Sequence, residues 1–245
     1  MFIEQPAPYL RWLYPHALWR MDRHEKAVYL TFDDGPIPEA TPFILDTLAH
    51  YGIKATFFVV GDNVRKHPDL FRRVVAEGHR IGNHTFNHIG GFKYLSKNYL
   101  KNAEKAQAII EKVISEGVNC EECTSLEAHH AQAGADSNTH SSPFTPSLTT
   151  SSSRPLFRPP HGWMRHDQYQ TLKKHYRVVM WDLVTRDYSY RLTAADIVAN
   201  VKRYARNGSI ITFHDSLRSI EKLHTALPES LEWLIAQGYA FRTID

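Results

Sequence analysis

Ala27-Val28-Tyr29-Leu30-Thr31-Phe32-Asp33-Asp34-Gly35-Pro36 is the stretch that decides how this 245-residue chain is read. Val28, Leu30 and Phe32 alternate with Tyr29 and Thr31, the pattern of a buried β-strand. Gly35-Pro36 ends the run abruptly. Asp33 and Asp34 therefore stand at the strand's carboxyl end, where α/β folds place their chemistry. Two adjacent carboxylates repel each other unless something cationic separates their roles. A metal ion on one would do that and leave the other free as a base. Alone, Asp-Gly-Pro is also ordinary turn chemistry; what lifts it above a turn is the repetition of the pattern along the chain.

His84-Thr85-Phe86-Asn87-His88 follows a second short strand-like run, Arg80–Asn83. Two imidazoles four residues apart share a face in a helix or tight turn, which suits one divalent metal. With 15 histidines in the chain such a pair carries little alone, but one carboxylate plus two histidines makes an open metal site. Phe157-Arg158-Pro159-Pro160-His161-Gly162 comes next, its prolines stiffening the loop and fixing where Arg158 points. An arginine there can orient a neighbouring carboxylate. Val179 to Tyr188 and Ser209 to Asp215 are further apolar runs ending in ionisable groups. A lone histidine after a strand is usually structural. Five strand ends carrying Asp, His, Arg, Asp and His in turn make that reading a poor one.

At these residues the chain resembles the polysaccharide deacetylases of carbohydrate esterase family 4, the NodB homology domain. The motifs are TFDDGP (Thr31 to Pro36), HTFNH (His84 to His88), RPPHG (Arg158 to Gly162), TRDY (Thr185 to Tyr188) and TFH (Thr212 to His214). The first two are highly specific and the last two looser. The resemblance runs from about Lys26 to the C-terminus. It implies Asp33 as general base, and Asp34, His84 and His88 as ligands of one divalent ion. Zinc is the default; cobalt, nickel or iron would also suit such a donor set. The ion would activate water and polarise an acetamide carbonyl. A backbone N–H of the RPPHG loop, that of His161, would help hold the oxyanion. Arg158 would orient Asp33, His214 would protonate the leaving amine, and Asp187 would keep His214 charged. His161, Tyr188, Thr212 and Trp181 are the expected substrate contacts.

Several positions depart from the family pattern. Val184 stands where many members carry an aspartate, Tyr188 where tryptophan is usual, Thr212 where leucine is usual and His161 where tyrosine is common. Val184 leaves one carboxylate near the site absent, and the other three predict a more polar acyl pocket or one shaped for another substituent.

Between the motifs the hydrophobic pattern alternates strand and helix. Strands are expected at Lys26–Phe32, Ala55–Val60, Arg80–Asn83, Leu156–Arg158, Arg177–Trp181, Ser209–Phe213 and Tyr239–Thr243. Helices are expected near Pro38–Tyr51, Pro68–Glu77, Ser96–Gly117, Asp167–His175, Thr193–Arg206 (Thr193 as N-cap) and His224–Gln237. Alternating β and α imply a parallel sheet with right-handed crossovers. Seven strand ends converging on one site favour a distorted, TIM-like (β/α) barrel, the fold the resemblance also implies. One domain over 1–245 is expected, interrupted at 118–154 by a Ser/Thr-rich insertion. From Ser137 to Ser153, 11 of 17 residues are Ser or Thr, a composition that cannot bury enough surface to offset ordering entropy.

Apolar residues make up 42% of the chain, enough for a large core, and the net charge of +3 names no partner. There is no basic cluster with interleaved aromatics, which argues against nucleic-acid binding. No stretch is long enough to span a membrane, and Met1 to Pro6 lacks signal-peptide character. Taken literally this predicts a cytoplasmic protein, whereas members of the resembled family are often exported. Leu10, Trp12, Leu13, Tyr14, Leu18 and Trp19 are expected to pack against the barrel. Cys120 and Cys123, the only cysteines, have no histidine spacing of a standard zinc finger, and free thiols are the plainer reading. The expected activity is metal-dependent removal of acetyl groups from N-acetylated sugars. Hydrolysis of a C–N bond in a small cyclic amide, O-acetyl esterase activity, or a non-catalytic sugar-binding relic are the alternatives. The intact set of ionisable residues speaks against the last.

Overall fold

The computed structural model describes residues 4–118 and 154–245. The expected insertion, with Cys120, Cys123, His129 and His130, lies outside the described residues apart from its two end positions. The elements alternate as the hydrophobic pattern implies. They are α1 (Pro8–Leu13), β1 (Ala27–Asp33), α2 (Thr41–His50), β2 (Thr56–Val59), α3 (Gly61–Lys66), α4 (Pro68–Ala76), β3 (Arg80–Asn83) and α5 (Ser96–Val118). After the insertion come β4 (Leu156–Phe157), α6 (His166–His175), β5 (Arg177–Val178), β6 (Leu183–Val184), α7 (Ala194–Tyr204), β7 (Ser209–His214), α8 (Ile220–Ala236) and β8 (Ala240–Phe241).

The strand order is β5-β4-β3-β2-β1-β7-β6, every pairing is parallel, and β8 adds to the start of β1. This is the distorted (β/α) barrel expected. No ladder joins β5 to β6 among the described residues. The N-terminal segment fills that gap: Leu18 bridges Val179 and Arg20 bridges Ser209, with Leu18 N–H donating to Val178 O at 2.8 Å and Met180 N–H to Leu18 O at 2.7 Å. Leu10, Tyr14 and Trp19 are buried in a cluster with Phe157, Tyr169 and Met180, as expected of this segment. Trp12 and Leu13, expected to join them, face outward instead, because a six-residue helix can bury only one side.

Strand alternation sorts the sheet's two faces. Val28, Leu30 and Phe32 pack outward under the helices with Phe57, Ile211 and Phe213. The opposite parity forms the barrel interior, which is layered. Ala27, Tyr29, Ile210 and Leu156 make an apolar floor. Above them, Thr31 and Thr212 are aligned across β1 and β7, and so are Asp33 and His214. A 2.0-residue period thus converts a run of sequence into an apolar base and a polar mouth.

Four boundaries differ from expectation. The strand expected over Arg177–Trp181 is cut to two residues, β5, beyond which Val179 bridges Leu18 instead, and a second two-residue strand, β6, follows beyond Asp182. That carboxylate is fully buried and accepts from Arg206 Nε and Nη2 at 2.8 and 2.6 Å, Arg11 Nη2 at 3.0 Å and Ser209 Oγ at 2.8 Å. Burial works against its ionisation, but Arg206 and Ser209 outweigh it and hold the carboxyl below its usual range. Helix α3 was not expected, being six residues long and opening on glycine, a weak helix former. Helix α8 begins a turn earlier than His224, with Leu223 already on the buried face that Leu227 continues, and it accommodates Pro228 in its interior. Helix α2 starts at Thr41 rather than Pro38. At α7, Thr193 caps as expected: its hydroxyl accepts from Asp196 N–H while the Asp196 carboxylate accepts from Thr193 N–H.

Asp182→Ala would strand two guanidinium groups and a buried hydroxyl at the barrel seam. Because both arginines are part-exposed and can rehydrate, the expected loss is about 2–3 kcal/mol, somewhat below that of a fully buried pair. Urea denaturation measures it; a change below about 0.5 kcal/mol would mean the seam is held by packing alone.

Candidate active site

Strand β1 delivers Asp33 and Asp34 to different environments. Asp33 continues the strand and points into the barrel mouth, almost fully buried. Asp34 has φ 83°, in the left-handed region, which turns its side chain away from that of its neighbour. Aspartate is among the few non-glycine residues that tolerate this. Its backbone is fastened on both sides: Asp34 N–H donates to Phe58 O, and Asn63 Nδ2 donates to Asp34 O at 2.8 Å.

Arg158 reaches Asp33 from the end of β4. Its Nη1 donates to Asp33 Oδ1 at 2.6 Å and to Thr31 Oγ1 at 2.7 Å, and its Nη2 donates to Met180 O at 2.7 Å. The guanidinium lies over the Phe58 ring, 4.1 Å from its centroid, and is only 1% exposed. Such a cation is tolerable inside a protein only with partners on several sides. Desolvation lowers its pKa, and Asp33 opposes that effect. The result is a fixed charge that orients one carboxylate.

Asp34, His84 and His88 form the second grouping, with one donor atom from each within 4.8 Å of the others. Asp34 Oδ1 lies 3.1 Å from His88 Nε2 and 3.6 Å from His84 Nε2. Left-handed turns at Thr85 (φ 64°) and His88 (φ 53°) bring the two imidazoles together after β3. His84 Nδ1 sits 2.8 Å from Arg158 O. A carbonyl can only accept, so Nδ1 carries the proton and Nε2 turns a lone pair toward Asp34. Burial drives the His84 pKa down to about 4, which keeps the ring neutral at pH 7. Burial also disfavours ionised Asp34, yet His88 and the other imidazoles around it outweigh this and hold its carboxyl below the usual range. Asp34 Oδ1 is buried without a hydrogen-bond partner. A lone pair facing an unpartnered carboxylate oxygen calls for a cation between them. Tetrahedral zinc would hold its donors about 3.4 Å apart, so the residues present fit a divalent ion.

His214, at the end of β7, is the cross-strand neighbour of Asp33. Asp187 holds it with both oxygens: Oδ1 lies 2.8 Å from His214 Nδ1 and Oδ2 accepts from His214 N–H at 2.7 Å. Burial alone would push the His214 pKa down; Asp187, with Asp34 and Asp33 behind it, reverses this and lifts it to about 9. Tyr188 sets its ring edge-on to His214 at 4.6 Å. His161 lies 4.8 Å from His88. Trp181 rests against Gly162 and Trp19, its indole N–H buried and unpartnered. Thr212 sits one layer lower, 2% exposed, with its hydroxyl 3.1 Å from that of Thr31. It belongs to the polar bed under Arg158 more than to the open mouth.

Asp215 was quoted in the sequence without a role, yet it anchors the site. Its N–H donates to Asp33 O at 2.7 Å. Its Oδ2 accepts from Thr41 Oγ1 at 2.7 Å, and Thr41 Oγ1 in turn accepts from Ile37 N–H at 2.7 Å. The carboxyl occupies the space where a Cβ on Gly35 would stand, which makes residue 35 a glycine position. Thr31 and Asn63, likewise given no such role, bind Arg158 and the Asp34 backbone. Only Asp215 had a local signal, its place beside His214.

Burial, reinforced by Asp34, pushes the Asp215 pKa up to about 8 against the hydrogen bond from Thr41. The folded value exceeds the unfolded one, near 4. Its stabilising contribution is therefore complete below pH 4 and lost as pH rises through about 8. In metal-free protein, Asp215→Asn should gain stability relative to the native chain between pH 5 and 8. Melting curves of both across that range check this, and parallel pH profiles would refute it.

Comparison with known proteins identifies the family. The polysaccharide deacetylase family model matches residues 20–123. A peptidoglycan-N-acetylglucosamine deacetylase of Bacillus cereus is 29% identical over 233 residues, 94% of this chain and 92% of that protein. The solved structure of the Bc1960 peptidoglycan N-acetylglucosamine deacetylase superposes with a TM-score of 0.76 at 26% identity, covering 98% of this chain and 95% of the other. The structure of the peptidoglycan deacetylase PdaC of Bacillus subtilis gives a TM-score of 0.67 at 31% identity, covering 91% and 90%. Against full-length PdaC, a peptidoglycan-N-acetylmuramic acid deacetylase, the match spans only 39% of its length. With its fold, its motif residues and relatives above 30% identity in agreement, the chain belongs to the polysaccharide deacetylases of carbohydrate esterase family 4.

Proposed function

We propose that this protein is a metal-dependent N-deacetylase that releases acetate from N-acetylated sugars, with peptidoglycan-type glycans as its substrate class. The observation that carries the proposal is the division of labour at the end of β1. Asp33 is paired with a buried arginine, and Asp34 is turned into a histidine pair with an unpartnered oxygen. The relatives named above, which act on peptidoglycan, support the substrate class.

Asp34, His84 and His88 would hold the ion, with zinc the default for this donor set. When bound, it supplies Lewis acidity to the acyl carbonyl and lowers the pKa of the attacking water. Asp33, held in place by Arg158, takes the proton as water attacks the carbonyl carbon. The C–N bond then breaks, acetate leaves, and His214 Nε2 gives its proton to the departing amine. Its Nδ1 cannot do so, being held by Asp187. Asp33 and His214 are neighbours across a parallel ladder, so base and acid flank one reacting carbon. The neighbouring N–H of His161 would help to hold the developing oxyanion. Tyr188, standing where tryptophan is usual, leaves the acyl pocket more polar than the usual family pattern.

Acetate release from N-acetylglucosamine oligomers, peptidoglycan fragments and O-acetylated xylan, with added zinc or cobalt, tests the proposal. Asp33→Asn should lower turnover by about 10²–10⁴-fold, the usual worth of a general base, without reducing metal content. Chelation should abolish activity, and added metal should restore it. No acetate from metal-loaded protein across that panel would overturn the reading and turn attention to cyclic amides.

The pH profile gives a second check. His214 must be protonated to act as acid, so activity should fall as pH rises past its elevated pKa. Asp187→Asn removes the principal raising group and should move that alkaline limb to lower pH. An unmoved limb would exclude His214 as the acid.

A further inference from the structure

The loop that carries Asp187 turns on Arg186, whose φ of 62° lies in the left-handed region. Arginine lacks the short polar side chain that eases this conformation for aspartate and asparagine, and the deacetylation chemistry gives Arg186 no part. Up to Thr185 the chain is held by the sheet: Thr185 N–H and Oγ1 both donate to Thr212 O, at 3.1 and 2.9 Å. At Arg186 it leaves the ladder. Asp187 then turns inward, fully buried, to His214. Arg186 reaches Glu4 instead, its Nη1 donating to Glu4 Oε1 at 2.5 Å.

Glu4 is itself held. Val184 N–H donates to Glu4 O at 2.8 Å, so Glu4 lies along the edge of β6 that β7 leaves free. Further along, the N-terminal segment is fastened again: Leu10 and Tyr14 are buried, Arg11 reaches Asp182, and Leu18 bridges Val179. The side chains of Arg186 and Glu4 are only 11% and 25% exposed, so solvent screens their attraction less than at an open surface. Burial works against ionised Glu4, yet Arg186 outweighs it and holds the carboxyl below its usual range. An ion pair seated on the strained residue of a loop does more than fasten two surfaces. It offsets the backbone cost of the turn.

We infer that Glu4 is a positioning residue for the proton donor: by holding Arg186 it keeps the left-handed turn in place, and the turn keeps Asp187 on His214. This rests on the deacetylase reading above and extends its machinery to the N-terminal segment.

The test separates strain from charge. Glu4→Ala is compared with two double variants, Glu4→Ala/Arg186→Gly and Glu4→Ala/Arg186→Ala. The doubles carry the same charge, but only glycine takes this φ at no steric cost. Without the ion pair the backbone penalty is uncompensated, so Glu4→Ala should lower kcat by up to about tenfold with KM little changed. The alkaline limb of its pH–rate profile should move to lower pH. Arg186→Gly should restore both, and Arg186→Ala should not. The His214 imidazole resonances of metal-free protein give the same answer without turnover. Their titration midpoint should fall in Glu4→Ala and in the alanine double, and return in the glycine double. Asp187, Asp33, Asp34 and the Tyr188 ring act on His214, with Lys222 near Asp187, and these variants alter none of them. Equal behaviour of the two doubles would overturn the inference in favour of a plain charge effect. Native kcat and an unmoved limb in Glu4→Ala would overturn it outright. Absence of acetate release by the native enzyme would sink the functional reading instead, and the His214 resonances would then decide the positioning role on their own.

Discussion

Two carboxylates on consecutive residues cannot share one environment, and most of this site follows from how Asp33 and Asp34 are kept apart. The left-handed turn at Asp34 supplies the geometric separation. The buried Arg158 supplies the electrostatic one, and it needs a bed of its own: Thr31, Met180 O and the face of Phe58. The polar middle layer of the barrel is explained by that need. A guanidinium so nearly sealed from solvent requires oxygen acceptors along several directions, and these come from the layer directly beneath the mouth.

The same logic links the remaining groups. His84 uses one nitrogen on the Arg158 carbonyl, so the residue that orients Asp33 also sets the tautomer of His84. Asp215 fastens the backbone of Asp33 and fills the hollow left by Gly35. His214 and Asp187 form a separate charge pair on the other side of β1. Asp33, His84 and His214 are thus each held by a neighbour that is itself buried, which is what preorganisation requires.

Much of this was legible in the sequence because the relevant patterns are local. Alternation in Ala27–Phe32 marks a strand, Gly-Pro its end, and a four-residue spacing brings His84 and His88 together. The structure then unites Asp34 with that pair, and Arg158 with Asp33, as the motifs implied. What escaped was non-local or short. Thr41 meets Asp215 across 174 positions of chain, and nothing at either residue announces the other. The two-residue strand β6 carries too little pattern to be read as a strand of its own, and the buried Asp182 before it looks like a strand-end acid. Thr212 was expected in the acyl pocket, and only its register with Thr31 reveals that it lies a layer lower. Trp12 and Leu13 read as core because apolar character alone does not say which side of a short helix is covered.

The pairing of β1 with β7 has a further consequence. Asp33 and His214 sit in register on adjacent strands, so the span between the proposed proton acceptor and donor is set by the sheet itself. Parallel strands lie about 4.8 Å apart, and no loop has to close to set that distance. Arg158 and Asp187, from the loops beyond β4 and β6, then fix how the two side chains are aimed. Segments that touch neither this ladder nor these two loops can change while the Asp33–His214 spacing stays as the sheet made it.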